Sequence, residues 1–199
     1  MKIVIMVEGA TEKVFIPHLR EFLKTKLEGR MPKLMPRKYD GRIPTEEKLK
    51  EDVEMYLSGK DAADYVIALT DVYTGNNSHE FKDAADAKDK MRMWVKDDAR
   101  FYPHAAQYEF EAWLLPYWDT IRKLADHNMA CPGNNPETVN HGKPPSHWID
   151  EIFRKGKRIS YSKSRDAKAI LDKNDLLPAI NSCAELKSLV DTILSLCEK

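Results

Sequence analysis

Five carboxylates in this chain trail apolar runs closely enough to share one site. Glu8 and Glu12 lie in Val7-Glu8-Gly9-Ala10-Thr11-Glu12, Asp71 follows Tyr65–Thr70, and Glu109 and Glu111 lie in Gln107-Tyr108-Glu109-Phe110-Glu111-Ala112. Crowded carboxylates raise the free energy of ionising one another, and a bound cation removes that cost. Hard oxygen ligands without paired His or Cys nearby select Mg²⁺ or Mn²⁺ over zinc. Gly9 is expected to let the backbone turn tightly and approach a phosphate, and Thr11 to cap a helix whose N-terminus points at the site. Glu12, in the first turn, is either an acid that complements the helix dipole or a second ligand one turn from Glu8. His18, His104 and His147 read as surface or core residues; His79, in the loop after Asp71, is the only histidine kept as a candidate for the site.

The elements that must position these acids alternate in a βαβ pattern, the mark of a parallel sheet. Ile3-Val4-Ile5-Met6-Val7 and Tyr65-Val66-Ile67-Ala68-Leu69-Thr70 read as strands buried on both faces. Val14, Phe15, Leu19, Phe22, Leu23 and Leu27 recur at helical spacing after the first strand, with Pro17 predicting a start or a kink near it. Residues 33–39 predict a weaker, edge-like strand with prolines near it, and residues 101–107 a fourth strand. Helices are expected from Pro44 to Leu57 and from Glu80 to Val95, with a compact helical face at Phe110, Trp113, Leu114 and Tyr117. Residues 124–145 read as loop, broken by Pro132-Gly133 and Pro144-Pro145. Beyond them, short helices are expected over 146–153, 165–171 and 183–196. The organisation predicted is an α/β core over residues 1–118 and a basic, helical C-terminal extension over 119–199 packing on it. In such open sheets ligands bind outside the carboxyl ends of the strands, where the strand order switches, and there the acids stand.

The chain has 199 residues, with 32 Lys and Arg against 32 Asp and Glu. It is long enough for a substantial core. Apolar runs are far shorter than the roughly 18 residues that span a bilayer, and Ile3–Val7 is too short for a signal-peptide core, so no membrane partner is expected and a cytoplasmic protein is. Cys131, Cys183 and Cys197, odd in number and unrelated in spacing, offer neither a disulfide framework nor a zinc pattern. The balanced charge hides unlike regions. Residues 1–50 carry 12 basic against 7 acidic residues, residues 51–100 carry 7 against 12, residues 101–150 carry 3 against 6, and the remainder 10 against 7. With cations bound among the central acids, the two basic ends are free to face a polyanion.

The first-strand block, with an Asp ending a later strand, resembles the Toprim domain of topoisomerases, primases and overcoming-lysogenization-defect nucleases. It more closely resembles the small stand-alone Toprim-like family known as domain-of-unknown-function family 4276. Asp71-Val72-Tyr73, Tyr108–Leu115, Asn135–Asn140, Pro145-Ser146 and Tyr161-Ser162-Lys163 carry the resemblance along nearly the whole chain. It implies a Rossmann-like, mostly parallel four-stranded sheet flanked by helices. It also implies a Mg²⁺- or Mn²⁺-dependent site hydrolysing DNA or RNA phosphodiesters, one part of a prokaryotic defence or repair system, and a partner ATPase of the AAA or ABC type. By position, Glu8 is the acid ending the first strand and Asp71 the first acid of an Asp-x-Asp motif. Tyr73 stands where the second Asp is expected, and Glu109 or Glu111 could supply the missing ligand. On an α-helix two residues two apart point about 200° apart, so one of the pair is expected to face the site, Glu109 being favoured. Lys163 and the cluster Arg154, Lys155, Lys157 and Arg158 are candidates to hold the scissile phosphate or flanking backbone. The competing expectation, motivated by Tyr73, is a silent module that binds a partner ATPase or nucleic acid. Nucleotidyl transfer of the primase kind is less favoured in so short a chain.

Nucleic-acid binding is expected to require divalent cation and to weaken steeply as monovalent salt rises. Fluorescence anisotropy with labelled oligonucleotides checks this; binding unchanged by chelator would contradict it.

Overall fold

The computed structural model describes residues 1–39, 41–73, 80–140, 142–157 and 159–198. Four strands, β1 (Lys2–Val7), β2 (Lys33–Lys38), β3 (Tyr65–Asp71) and β4 (Phe101–Ala106), form one all-parallel sheet in the order β2-β1-β3-β4. The two apolar runs legible in the sequence are the two central strands. In β1 the residues from Ile3 to Val7 are all buried, because helices cover both faces. Both outer strands carry a proline, Pro36 in β2 and Pro103 in β4. The carbonyls of Arg100 and Ala106 accept from Val66 and Val72, an alternation that turns Pro103, which lacks an N–H, to the open edge.

Strand alternation splits the core in two. Ile3, Ile5, Val7, Ile67 and Leu69 face helix α1 (Ala10–Leu27), and Val4, Met6, Val66 and Ala68 face α2 (Glu46–Leu57) and α3 (Ala84–Trp94). The α1 face is built by Phe15, Ile16, Leu19, Leu23 and Leu27. Pro17 lies inside this helix and does not start it. Helix α3 begins later than expected because Asp83 is its N-cap and accepts the Asp86 N–H at 2.8 Å.

After β4 the chain enters a 3₁₀ segment, Phe110–Tyr117, where an α-helical face was expected. Helices α4 (Trp118–Ala125), α5 (Pro145–Lys157), α6 (Lys163–Leu171), α7 (Leu177–Ser182) and α8 (Ala184–Glu198) follow, with a 3₁₀ turn at Pro136–Thr138 inside the 124–145 stretch. Their apolar residues, among them Ile121, Ile149, Ile170 and Ile193, join the core on the α1 face. Phe15, Phe110 and Trp113 pack ring against ring at 5.4–5.9 Å, locking the 3₁₀ segment onto α1. No helix among the described residues is long and apolar enough to cross a membrane. The watched His79 lies outside the described residues.

His104, on β4, is 4% exposed, and neither ring nitrogen has a hydrogen-bond partner among the described residues. Burial, aided by Lys88 and Arg92, pushes its pKa down to about 3. The unfolded chain therefore takes up a proton near pH 6.5 that the folded chain refuses. The stability this histidine allows is complete above that pH and is lost as pH falls toward 3. His104→Leu is expected to resist unfolding better than wild type at pH 4, with the difference shrinking at pH 8. Urea midpoints across pH measure it, and parallel wild-type and variant profiles would refute it.

Candidate metal centre

The strand order places a site where β1 and β3 lie side by side. The chain leaves the end of β1 for β2 on one flank and returns to β3 on the other, so the ends of these two strands open onto the switch in strand order. Glu8 follows β1, Glu12 sits in the first turn of α1, and Asp71 is the last residue of β3. All three are buried, and a carboxylate oxygen of each lies within 4.8 Å of the others.

Each acid is held by a group that the topology supplies. The Thr70 hydroxyl donates to Glu8 Oε1 across 62 positions of sequence. The Phe110 backbone N–H donates to Asp71 Oδ1 at 2.8 Å. Glu12 is set one helical turn before Phe15, the centre of the aromatic lock. Gly9 is extended at φ −141° and ψ −167°, so no tight turn is made there. Space is its constraint: a Cβ would stand 3.1 Å from Glu12 Oε2. Gly9 is also the N-cap residue, and Thr11 lies buried inside the helix without capping it.

Burial shifts all three acids, and repulsion between them adds to the shift at Glu8 and Asp71. Burial raises the Glu8 pKa to about 7, against the Thr70 hydrogen bond, with Glu12 adding to the rise. Burial likewise raises Glu12, while Lys163 opposes it. Asp71 is raised well above the carboxylate range by burial, then by Glu8, Glu12 and Glu111. Three buried oxygen ligands that resist ionisation together fit a hard divalent cation, which would take the place of the protons.

Glu109 and Glu111 form a second group beside the first. Glu109 precedes the 3₁₀ segment in extended backbone, so the rotation of a regular helix does not separate the pair. Both meet Lys163, the first residue of α6. Its Nζ is 3.3 Å from Glu111 Oε2 and 3.6 Å from Glu109 Oε1. Glu111 is 1% exposed, and burial raises its pKa to about 7 although Lys163 works against the rise. Burial opposes the Lys163 charge, but Glu111, Glu109 and Asp71 outweigh it and raise its pKa. Of the two acids, Glu111 is the one whose charge reaches Asp71. The remaining oxygens are met as well: Ser146 N–H donates to Glu109 Oε2 at 2.9 Å, and the Tyr161 hydroxyl lies 3.5 Å from Glu111 Oε1. Lys163 is itself positioned by Asp150, which accepts the Tyr161 N–H, and by Asp166, which accepts the Ser162 N–H.

The basic cluster is elsewhere. Arg154, Lys155 and Lys157 occupy the last turn of α5, whereas Ser146, which meets Glu109, is in its first turn. That is roughly 12 Å of helix between them. Arg154 pairs with Asp150 and Lys155 with Glu151, one turn back. Arg158 lies outside the described residues. Tyr73, where a further acid was expected, hydrogen-bonds through its hydroxyl to the Asn140 amide at 2.6 Å and packs against Tyr108. The partners that sequence reasoning missed are Thr70, a hydroxyl at the end of an otherwise apolar strand, and the Phe110 and Ser146 amides, which carry no side-chain signal.

A family model described as Domain of unknown function (DUF4276) matches residues 7–194. No curated protein matches the chain in sequence. Among solved structures, the chain is similar to the C-terminal region of the Burkholderia pseudomallei OLD protein, with a TM-score of 0.52 at 13% identity over 98% of each chain. It is also similar to the C-terminal region of the Xanthomonas campestris pv. campestris OLD protein, with a TM-score of 0.49 at 15% identity over 99% of this chain and 93% of that one. The parallel sheet flanked by helices is thus a Toprim-like α/β fold.

Raised carboxyl pKa values make stability depend on pH with a definite sign. The folded chain holds protons that the unfolded chain releases near pH 4.5, so the metal-free protein loses stability as pH rises from there through about 7. Thermal unfolding is expected to show the metal-free midpoint falling by several degrees between pH 5 and 8, and Mn²⁺ restoring it. Glu8→Gln and Asp71→Asn should raise the metal-free midpoint at pH 8 and abolish the Mn²⁺ effect. A Mn²⁺ effect that persists in both variants would place the ion elsewhere.

Proposed function

The chain belongs to the DUF4276 family, and on that premise we propose that it is a divalent-metal-dependent nuclease acting on nucleic-acid phosphodiesters. The observation that carries the reading is the convergence of Glu8, Glu12 and Asp71, buried, at the switch point between β1 and β3. These three would hold a Mg²⁺ or Mn²⁺ ion. Such an ion supplies an activated water and stabilises charge on phosphoryl oxygens.

The chain's own residues do the rest. Thr70 and the Phe110 amide fix two of the acids so that they need not reorganise when substrate arrives. The Lys163 ammonium, half-exposed beside the acids, is placed to meet a phosphate oxygen. Residues 1–118 form the core in this reading and residues 119–199 the extension, which completes the site by supplying Lys163. Arg154, Lys155 and Lys157 would contact only flanking backbone, since they sit at the far end of α5 and two are already paired. Glu109 and Glu111 act through Lys163, keeping it charged and aimed.

The second reading is a silent module that binds a partner ATPase or nucleic acid. The commitment of the Tyr73 hydroxyl to Asn140 favours it, because that position gives no carboxylate to an ion. An ATPase partner of the AAA or ABC type is compatible with both readings.

Purified protein with Mn²⁺ is expected to nick plasmid DNA or to degrade single-stranded DNA or RNA, and Glu8→Ala and Asp71→Ala to lower the rate at least about a hundredfold, the scale of losing one electrostatic stabiliser. Equal cleavage by wild type and both variants would show the assigned site to be wrong. Absence of cleavage alongside Mn²⁺-independent nucleic-acid binding would favour the silent module.

A further inference from the structure

The two acidic groups differ in how their oxygens are spent. All four carboxylate oxygens of Glu109 and Glu111 face protein donors: Lys163 Nζ reaches one oxygen of each, and the Ser146 N–H and Tyr161 hydroxyl reach the other two. Glu8, Glu12 and Asp71 instead turn oxygens toward one another within 4.8 Å. Two residues after Asp71, where a carboxylate would extend them toward a second ion, stands Tyr73, whose hydroxyl accepts from the Asn140 amide.

We propose that the site takes one divalent cation and that the Lys163 ammonium permanently fills the position a second cation would occupy, between Glu109 and Glu111. A cation brought to that pair would meet a fixed positive charge at ion-pair distance from both carboxylates and would have to expel it. The Asp150 and Asp166 carboxylates fix the backbone leading into Lys163, and the ion pairs with Glu109 and Glu111 hold its ammonium between them. Lys163 in this role is the built-in counter-ion of the centre, held by Glu109 and Glu111. The consequence for mechanism is that a proton-bearing group, not a metal, faces the second side of a bound phosphate.

This rests on Glu8, Glu12 and Asp71 being the metal centre, and the experiment separates the two ideas. Mn²⁺ is titrated into the full chain by calorimetry, and electron paramagnetic resonance reports whether two ions couple. Wild type and Lys163→Arg are expected to bind one Mn²⁺ per chain with an isolated-ion spectrum. Lys163→Met is expected to bind two with an exchange-coupled spectrum, and adding Glu111→Gln should return the count to one. Because Lys163→Met takes the ion-pair partner from buried Glu111, circular dichroism checks that each variant keeps the wild-type fold before the titration is read. Two ions in wild type, or one in both wild type and Lys163→Met, overturn the proposal while leaving the metal centre standing. No Mn²⁺ binding in wild type overturns the metal centre itself, and this proposal with it.

Discussion

Bringing three carboxylates together below the surface is the constraint on which the rest of this structure depends. Burial disfavours the charged form of each of them, and repulsion between them adds to the cost at Glu8 and Asp71. The fold tolerates the arrangement because the acids are attached to its stiffest parts: the ends of the two central strands and the first turn of the helix packed over them. A softer scaffold would relieve the repulsion by letting the carboxylates swing out to water. Here the Thr70 hydroxyl, the Phe110 amide and the aromatic lock of Phe15, Phe110 and Trp113 deny that escape. The stability forgone at this point is recovered across two apolar layers that cover the sheet on both faces.

The helices after residue 118 belong to the same problem. They share the apolar layer on the α1 face, and their approach brings a cation over the strand ends. Glu137 ties the arrangement together: it accepts from Trp113 Nε1 at 3.2 Å and from the Glu185 N–H at 3.0 Å, joining the 3₁₀ segment to the start of α8. Lys88 on α3 pairs with Glu185 from the other side of the sheet. One network therefore runs from the aromatic lock, past the edge of β4, to the far face.

Much of this was legible in the sequence, and the reasons are physical. β1 and β3 announced themselves because a strand buried on both faces must be apolar throughout, and Glu8 and Asp71 stood out because they break those runs at their ends. The prolines near residues 33–39 marked β2 as edge-like for lack of an N–H. The 3₁₀ segment was hidden because Phe110, Trp113, Leu114 and Tyr117 keep the i, i+3, i+4, i+7 spacing of an α-helix, and with it went the true relation of Glu109 to Glu111. Helix α7 was missed because six residues with Pro178 at the start carry too little periodicity. Thr11 was misjudged as a cap since its type suits the role, but Gly9 enters the helix two residues earlier. Lys163 could be connected to the acids only by resemblance, as no local pattern links residues 52 positions apart.

That separation has a bearing on how the protein comes into being. The contacts that define the centre join residues 39, 52 and 62 positions apart, so it forms only when segments far apart in the chain meet. Lys163 is synthesised long after Glu8. Long-range closure of this kind comes late in folding, after its loop entropy has been met by the sheet and its helices. An unfolded or half-made chain thus has scattered acids and no centre, and the capacity to bind a cation arises together with the complete native topology.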